Sequence, residues 1–367
     1  MSLKVCHLTS VHPINDGRIF YKECKSLADA GFDVTLIAFG DIAFEDVKYN
    51  VKRISLDVPA TNRFLRFYKR SKAIYRKAIE IDCAIYHFHD PELLPVGLKL
   101  KKNGKKVIFD SHEFYGEQIK HKKYIPFFLR SLIAKLYMKF ESFVCKRIDL
   151  VIQVCTLNGK NYFNGRAKKS SFITNAPVLR KVDKVNEEKE YVIYIGDLNY
   201  NRGIYHIIKA SGRAKCPLIL AGNFNSKVYY NEVQQLKEYS NVHYKGFIGK
   251  DKLDTSLAKS FAGLSTLLHI GQYPLIDTFP TKVYEYMAAG IPVIISNTKF
   301  AKTMVEKYKC GICVNPEDIE DISKAISFLK SNTEIAIQMG ENGRKAFEEN
   351  FNWQIEEKKL INLYMSL

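Results

Sequence analysis

The sequence has no run of ~18 uninterrupted apolar residues, so no membrane-spanning helix is expected. Met1 is followed almost at once by the strand-like Lys4–Thr9, which leaves no room for the apolar core of a secretory leader. Eight cysteines are present but form no regular framework. The one CxxC, Cys310-Gly-Ile-Cys313, has neither a second pair nor a nearby histidine to complete a zinc set. It enters a strand instead of opening a helix, so it reads as two buried thiols flanking a turn and not as a redox centre. The expectation is a cytosolic protein with reduced thiols. Short-period repeats and low-complexity tracts are missing too. So are helix-turn-helix, RNP and KH patterns, which argues against nucleic acid as a partner.

What the chain does have is length and a lopsided charge. Its 367 residues suffice for two domains with separate cores. The net charge of +17 is concentrated in one half: residues 1–180 carry 32 Lys+Arg against 17 Asp+Glu, the rest 24 against 22. Such asymmetry points to an anionic partner. Two stretches, 63–77 and 120–147, interleave Lys and Arg with aromatics such as Tyr124, Phe127 and Phe128. That is the composition of an interfacial helix on an anionic membrane, and equally of a solvated helix whose apolar side lies in the core.

Apolar runs of four to seven residues alternate with amphipathic segments almost throughout. Strands are expected at Val5–Thr9, Val34–Phe39, Ala84–Phe88, Val107–Asp110, Leu150–Val154 and Phe172–Thr174. A polar stretch without periodicity follows, and the alternation restarts at Tyr191–Ile195, Leu218–Ala221, Val242–Tyr244, Gly263–Leu268, Val293–Ser296 and Gly311–Val314. This pattern predicts α/β architecture: two Rossmann-like, doubly wound parallel-sheet domains, with ligands at the carboxyl ends of the strands. The expected division is 1–178, a linker at 179–190, 191–350, and a lone amphipathic helix at 351–367.

The run from Asp277 to Glu285 sets two carboxylates eight positions apart around Pro280 and Lys282, at the start of a helix that stops near Gly290. An ordinary strand-to-helix junction would also favour Pro and acids there. Lys282 argues for more, because a cation at the positive end of a helix is misplaced unless an anion is close by. Gly196-Asp-Leu-Asn-Tyr-Asn-Arg202-Gly203 follows the first strand of the second half and opens another helix, a geometry that can cradle phosphate although it is not GxGxxG. In the first half, His87, His89-Asp90 and His112 lie at the ends of two successive strands, where chemistry collects in this architecture. A zinc ion could be drawn among them, but the spacing matches no metal motif and no metal is expected. The loop His12-Pro-Ile-Asn-Asp16-Gly17 offers Asp16 as a helix cap and Gly17 as a tight-turn residue.

At these residues the chain resembles glycosyltransferase family 4, whose fold is GT-B, two Rossmann-like domains facing a central cleft. The resemblance runs from "HLTSVHPINDGRIFYKECKSLADAGFDVTLIA" through "HFHDPELL", "IFDSHE", "YIGDLNYNRGI" and "PTKVYEYMAAGIPVII" to "FNWQIEEKKLINLY". It implies a retaining, metal-independent transfer from a nucleotide-diphosphate sugar to a hydroxyl acceptor, with a nucleotide-sugar 2-epimerase of the same fold as the alternative. It places the family's paired acids on Asp277, for the donor sugar, and Glu285, for the ribose. Arg202 and Gly196 fall at the diphosphate, with Phe279, Thr281 and Lys282 beside them, and Gly246-Phe247-Ile248 at the base. The active-site histidine falls on His112, and the phosphate or acceptor loop on Asp16 and Gly17. The closing helix resembles the one that crosses back to the first domain. Asp277 is shorter than the usual Glu, Pro280 lacks an amide hydrogen, and Asp197 stands where an Arg is common. No cofactor is implied beyond the nucleotide-sugar co-substrate. The expected partners are that donor, a glycan or lipid-linked acceptor and an anionic membrane, with the protein cytoplasmic or peripheral at the inner face.

Overall fold

The computed structural model describes residues 2–40, 44–58, 63–122, 124–179 and 188–367. Most of the expected linker, 180–187, therefore lies outside the described residues. The chain divides into two compact units, Met1–Asn175 with Trp353–Leu367, and Ala176–Asn352.

The first unit is built on an eight-stranded sheet. Its strands are β1 (Lys4–Pro13), β2 (Asp33–Phe39), β3 (Glu45–Lys48), β4 (Val51–Ser55), β5 (Ile85–Phe88), β6 (Lys106–Ser111), β7 (Leu150–Gln153) and β8 (Ser170–Phe172). Their order is β3-β4-β2-β1-β5-β6-β7-β8, parallel except where β3 pairs with β4. Val5, Leu36, Ile85 and Ile108 pack on one apolar cluster and Leu8, Ile37, Tyr86 and Val107 on another, so β1, β2, β5 and β6 are buried on both faces. Buried faces on both sides explain the continuous apolar runs in the sequence. The β3–β4 hairpin was not expected. Its first strand is largely exposed and mostly polar, and Tyr49 and Asn50 turn it at φ 54° and 59°, as a two-residue hairpin loop requires.

The helix Trp353–Met365 belongs to this unit. Trp353, Leu360 and Tyr364 are buried in the cluster that also holds Phe20 and Leu27. Trp353 Nε1 donates to Ser26 Oγ at 2.9 Å, and Glu356 accepts from the Thr174 amide at 2.9 Å.

The second unit holds β9 (Tyr191–Ile195), β10 (Leu218–Ala221), β11 (Val242–Gly246), β12 (Ser260–Ser265), β13 (Val293–Ser296) and β14 (Gly311–Val314). They form one parallel sheet in the order β11-β10-β9-β12-β13-β14. In each unit successive connections wind away from a central pair, β1–β5 and β9–β12. Loops leaving the carboxyl ends of such a pair form the crevice where this architecture binds ligands. All eight cysteines are free thiols, Cys310 buried and Cys313 half-buried.

Candidate functional site

In the first unit the loop after β1 leads into the helix that begins at Ile19. Asp16 Oδ1 accepts from the Arg18 and Ile19 amides at 2.8 and 2.9 Å, so it caps this helix. Gly17 is no tight-turn requirement: its φ is not positive and a β-carbon there would meet nothing within 4 Å. The first turn, Ile19–Cys24, is π-helical, and the Glu23 amide reaches back five residues to the Arg18 carbonyl at 2.9 Å. That wider turn stacks Glu23 over Arg18 and buries both.

Arg18 meets Asp110, at the end of β6, through two parallel bonds of 2.9 and 3.1 Å. Burial alone would raise the Asp110 carboxyl, but Arg18 and His112 hold it well below the ordinary range. An ionised Asp110 can only accept, so His112 Nε2 carries the hydrogen of their 2.9 Å bond. His89 Nδ1 lies 3.3 Å from the same oxygen. Behind it stand His7 Nδ1 at 3.0 Å from His89 Nε2, the Tyr364 hydroxyl at 3.2 Å from His7 Nε2, and His87 Nδ1 at 2.7 Å from that hydroxyl. With Asp110 as the terminal acceptor the hydrogens run one way along this chain, from His87 to Tyr364, His7, His89 and Asp110. The rings are neutral: burial pushes His7 and His87 well below the ordinary histidine value and His89 down to about 4.

Glu23 lies beside this chain with Oε1 2.9 Å from Arg18 Nε. The single hydrogen of Nε is on Asp110, so both Glu23 oxygens lack a hydrogen-bond partner. Burial, and then Asp110, raise the Glu23 carboxyl well above its usual value. His7, His87, His89 and Glu23 present ligand-type atoms within 4.8 Å of one another, as do His89, Asp110 and His112. A cation among the first four would have to displace the His7–His89 and His87–Tyr364 bonds.

Asp90 closes the mouth. Its Oδ2 accepts from Thr9 Oγ1 at 2.7 Å and from the Ser10 and Val11 amides at 2.6 and 3.2 Å, and Oδ1 is 3.0 Å from His12 Nδ1. The His12 and His112 rings stand 4.9 Å apart and are the partly exposed members, 29% and 18%.

In the second unit the residues after β9 meet the helix Thr281–Ala288. Gly196, at φ 116°, would place a β-carbon 3.4 Å from Lys282 Nζ. Asn199 Oδ1 accepts from the Arg202 amide at 3.2 Å and fixes the turn Tyr200–Arg202. Gly203 then passes so close to Thr266 that a β-carbon would lie 2.2 Å from its carbonyl oxygen, with φ at 73°. Lys282 is buried, donates to the Tyr194 hydroxyl at 3.0 Å and stands 4.3 Å above that ring. Burial and the nearby Arg202 lower Lys282 to about 7, with Asp197 opposing. Its helix has no side-chain cap and no acid in the first turn, and the Val283 amide turns back to the Pro280 carbonyl at 2.9 Å, so the Thr281 and Lys282 amides are the ones open to an anion. Asp277 and Glu285, both half-buried, precede and follow this helix start, and Thr281 is exposed.

Not every expected residue is oriented toward a ligand. The Phe279 side chain is buried among Tyr284, Phe300 and Phe351, so only its backbone could meet a donor. Phe247 is 82% exposed, whereas Ile248 packs on the core. Arg18, Glu23, Asp110, Tyr194 and Tyr364 were missed. "GRIFYKEC" and "IFDSHE" contain three of them, but nothing local announces that they meet. A depression lined by Arg213, Glu320, Ser323 and Lys324 shares no residue with either cluster.

Comparison with known proteins bears on the family and the fold. The model "Glycosyltransferase Family 4" matches residues 17–157, and "Glycosyl transferases group 1" matches residues 175–346. The O-antigen chain mannosyltransferase C of Escherichia coli is 21% identical over 362 residues, 95% of this chain and 94% of that protein. Sucrose-phosphate synthase from Thermosynechococcus elongatus superposes with a TM-score of 0.79 at 17% identity, covering 99% and 98% of the two chains. The Anabaena protein HepE, solved in complex with UDP-glucose, gives 0.69 at 15% identity over the whole of both chains. The chain has two parallel-sheet α/β units of the GT-B class and belongs to glycosyltransferase family 4.

Proposed function

We propose that this glycosyltransferase moves a sugar, with retention, from a nucleotide-diphosphate sugar to a hydroxyl of a lipid-linked glycan destined for the cell surface. The observation that carries the reading is the convergence of Gly196, Arg202, Lys282 and an uncapped helix start in the second unit. Two cations and free amides at one point suit a leaving diphosphate, whose developing charge they would stabilise without a metal ion. Asp277 would hold donor-sugar hydroxyls and Glu285 the ribose. His112, with Nε2 committed to Asp110, would turn Nδ1 to a substrate hydroxyl. HepE's bound UDP-glucose and the mannosyltransferase relative support a nucleotide-hexose donor.

The acceptor side of the reading rests on the helix Phe127–Cys145. Leu129, Leu132, Ile133, Leu136, Phe140 and Phe143 recur at helical spacing and are all 36–58% exposed, with Lys135, Lys139, Lys146 and Arg147 also exposed. An apolar stripe flanked by cations fits an anionic bilayer, where lipid-linked acceptors reside. No helix among the described residues is long and apolar enough to cross a membrane.

The test is a thermal-shift screen against UDP-, GDP- and ADP-sugars, followed by turnover with and without acceptor. Stabilisation by one donor and release of its nucleotide only with acceptor are expected. Consumption of the donor without acceptor would favour an epimerase, and no shift with any donor would remove the proposal. Glu285→Ala or Lys282→Ala should lower turnover about 100–1,000-fold.

A further inference from the structure

Lys282 is held in an unusual way. Nζ makes one hydrogen bond, to the Tyr194 oxygen, while the Tyr194 hydrogen goes to the Asp197 carbonyl at 3.0 Å. Among the described residues no carboxylate pairs with Nζ. The titratable and charged groups around it are Tyr194, Asp197 and Arg202, with Glu285 three positions on along its own helix. Arg202 is a second cation, the helix end adds partial positive charge, and the side chain is buried. A permanent charge at this point is unfavourable until an anion arrives, and beyond Tyr194 the Nζ hydrogens meet no protein acceptor among the described residues.

We infer that Lys282, resting on Tyr194, is a proton-linked seat for the diphosphate: it takes up a proton from solvent as the anion binds and gives it back as the anion leaves. This rests on the donor reading above and adds the switch that governs the same site. The atoms balance simply: the amine lone pair gains one proton, and no bond to the nucleotide forms. The direction of Lys282's shift, down to about 7, agrees with the geometry. An adjacent dianion pulls the group back up, so binding below about pH 7 needs no proton and binding above it does. Lys282→Arg provides the control, because a guanidinium stays charged and cannot switch.

The experiment is isothermal titration with UDP, GDP and ADP at pH 8 in buffers of different ionisation enthalpy. At that pH the diphosphate is already fully ionised, so any proton taken up belongs to the protein. Uptake of roughly 0.9 proton per nucleotide is expected for the bound species, with affinity falling roughly tenfold per pH unit above 8. Lys282→Arg should bind without uptake, and Lys282→Met should bind more weakly with no slope against pH. Binding by the wild type without uptake, or undiminished uptake in Lys282→Arg, would overturn the inference and leave the donor reading standing. Heat from none of the three nucleotides, with the protein folded by circular dichroism, would overturn the donor reading itself.

Discussion

Arg18 and Asp110, 92 positions apart, meet in a two-pronged ion pair at 2.9 and 3.1 Å with neither side chain more than 4% exposed. The pair joins the helix after β1 to the end of β6 and holds His112 in a single tautomer. Removing one partner leaves the other charged and buried, which costs far more than an exposed pair is worth. Arg18→Met should therefore lower the stability of the first unit by about 3–5 kcal/mol. The only tryptophan, Trp353, lies in that unit and reports its urea unfolding by fluorescence. A loss of under about 1 kcal/mol would mean the charges are solvated.

Asp90 and His12 set a pH window for the mouth of this unit. Burial opposes both charges, but the pair prevails, lowering Asp90 and raising His12. Asp90's contribution is present above its unfolded value near ~3.9 and is lost as pH falls through its lower folded one. His12's is present below its unfolded value near ~6.5 and is lost as pH rises through its higher folded one. Trp353-detected melting from acid to alkaline pH should show both limbs. Asp90→Asn should flatten the acid limb, and His12→Gln the limb lost as pH rises.

Two glycines beside helix starts should respond oppositely to alanine. At Gly203 a β-carbon would lie 2.2 Å from the Thr266 carbonyl oxygen, at a backbone φ of 73°. Gly203→Ala should cost at least ~2 kcal/mol and weaken nucleotide binding through displacement of Arg202. Gly17→Ala enters open space without positive φ and should stay within about 0.5 kcal/mol of wild type. Thermal melts of the two variants, read by circular dichroism, check the contrast.

The exposed stripe on Phe127–Cys145 should sediment with vesicles containing anionic lipid and release them at high salt. Leu132→Asp with Leu136→Asp should abolish binding without unfolding, since both residues are more than half exposed. Lys135→Glu should weaken it and reduce the salt sensitivity. Equal binding to neutral vesicles, or self-association that the double variant removes, would redirect the surface to another partner.

The α/β fold was legible because parallel strands buried on both faces write themselves as apolar runs. The β3–β4 hairpin was not, since β3 is an edge strand whose Glu45, Asp46 and Lys48 read as a loop. Its one local sign was Asn50 in a position tolerant of positive φ. Lys282 and Arg202 could be paired from the sequence, because a misplaced cation and a glycine turn each asked for phosphate. Tyr194, which supports Lys282, looks like any apolar strand residue. The Arg18–Asp110 pair and the Tyr364 hydroxyl arise from contacts between distant segments, and local pattern carries no trace of them.

Tyr364 also fixes an order of events during synthesis. The second unit is continuous, whereas the first is completed by residues that follow the second in the chain. The first unit, although begun earlier, lacks the helix that covers His7 and His87 until those residues emerge. A nascent chain of this enzyme thus leaves the half that began it unclosed until Trp353–Leu367 have left the ribosome. For that interval its buried imidazoles stand open to water and to whatever escorts the chain.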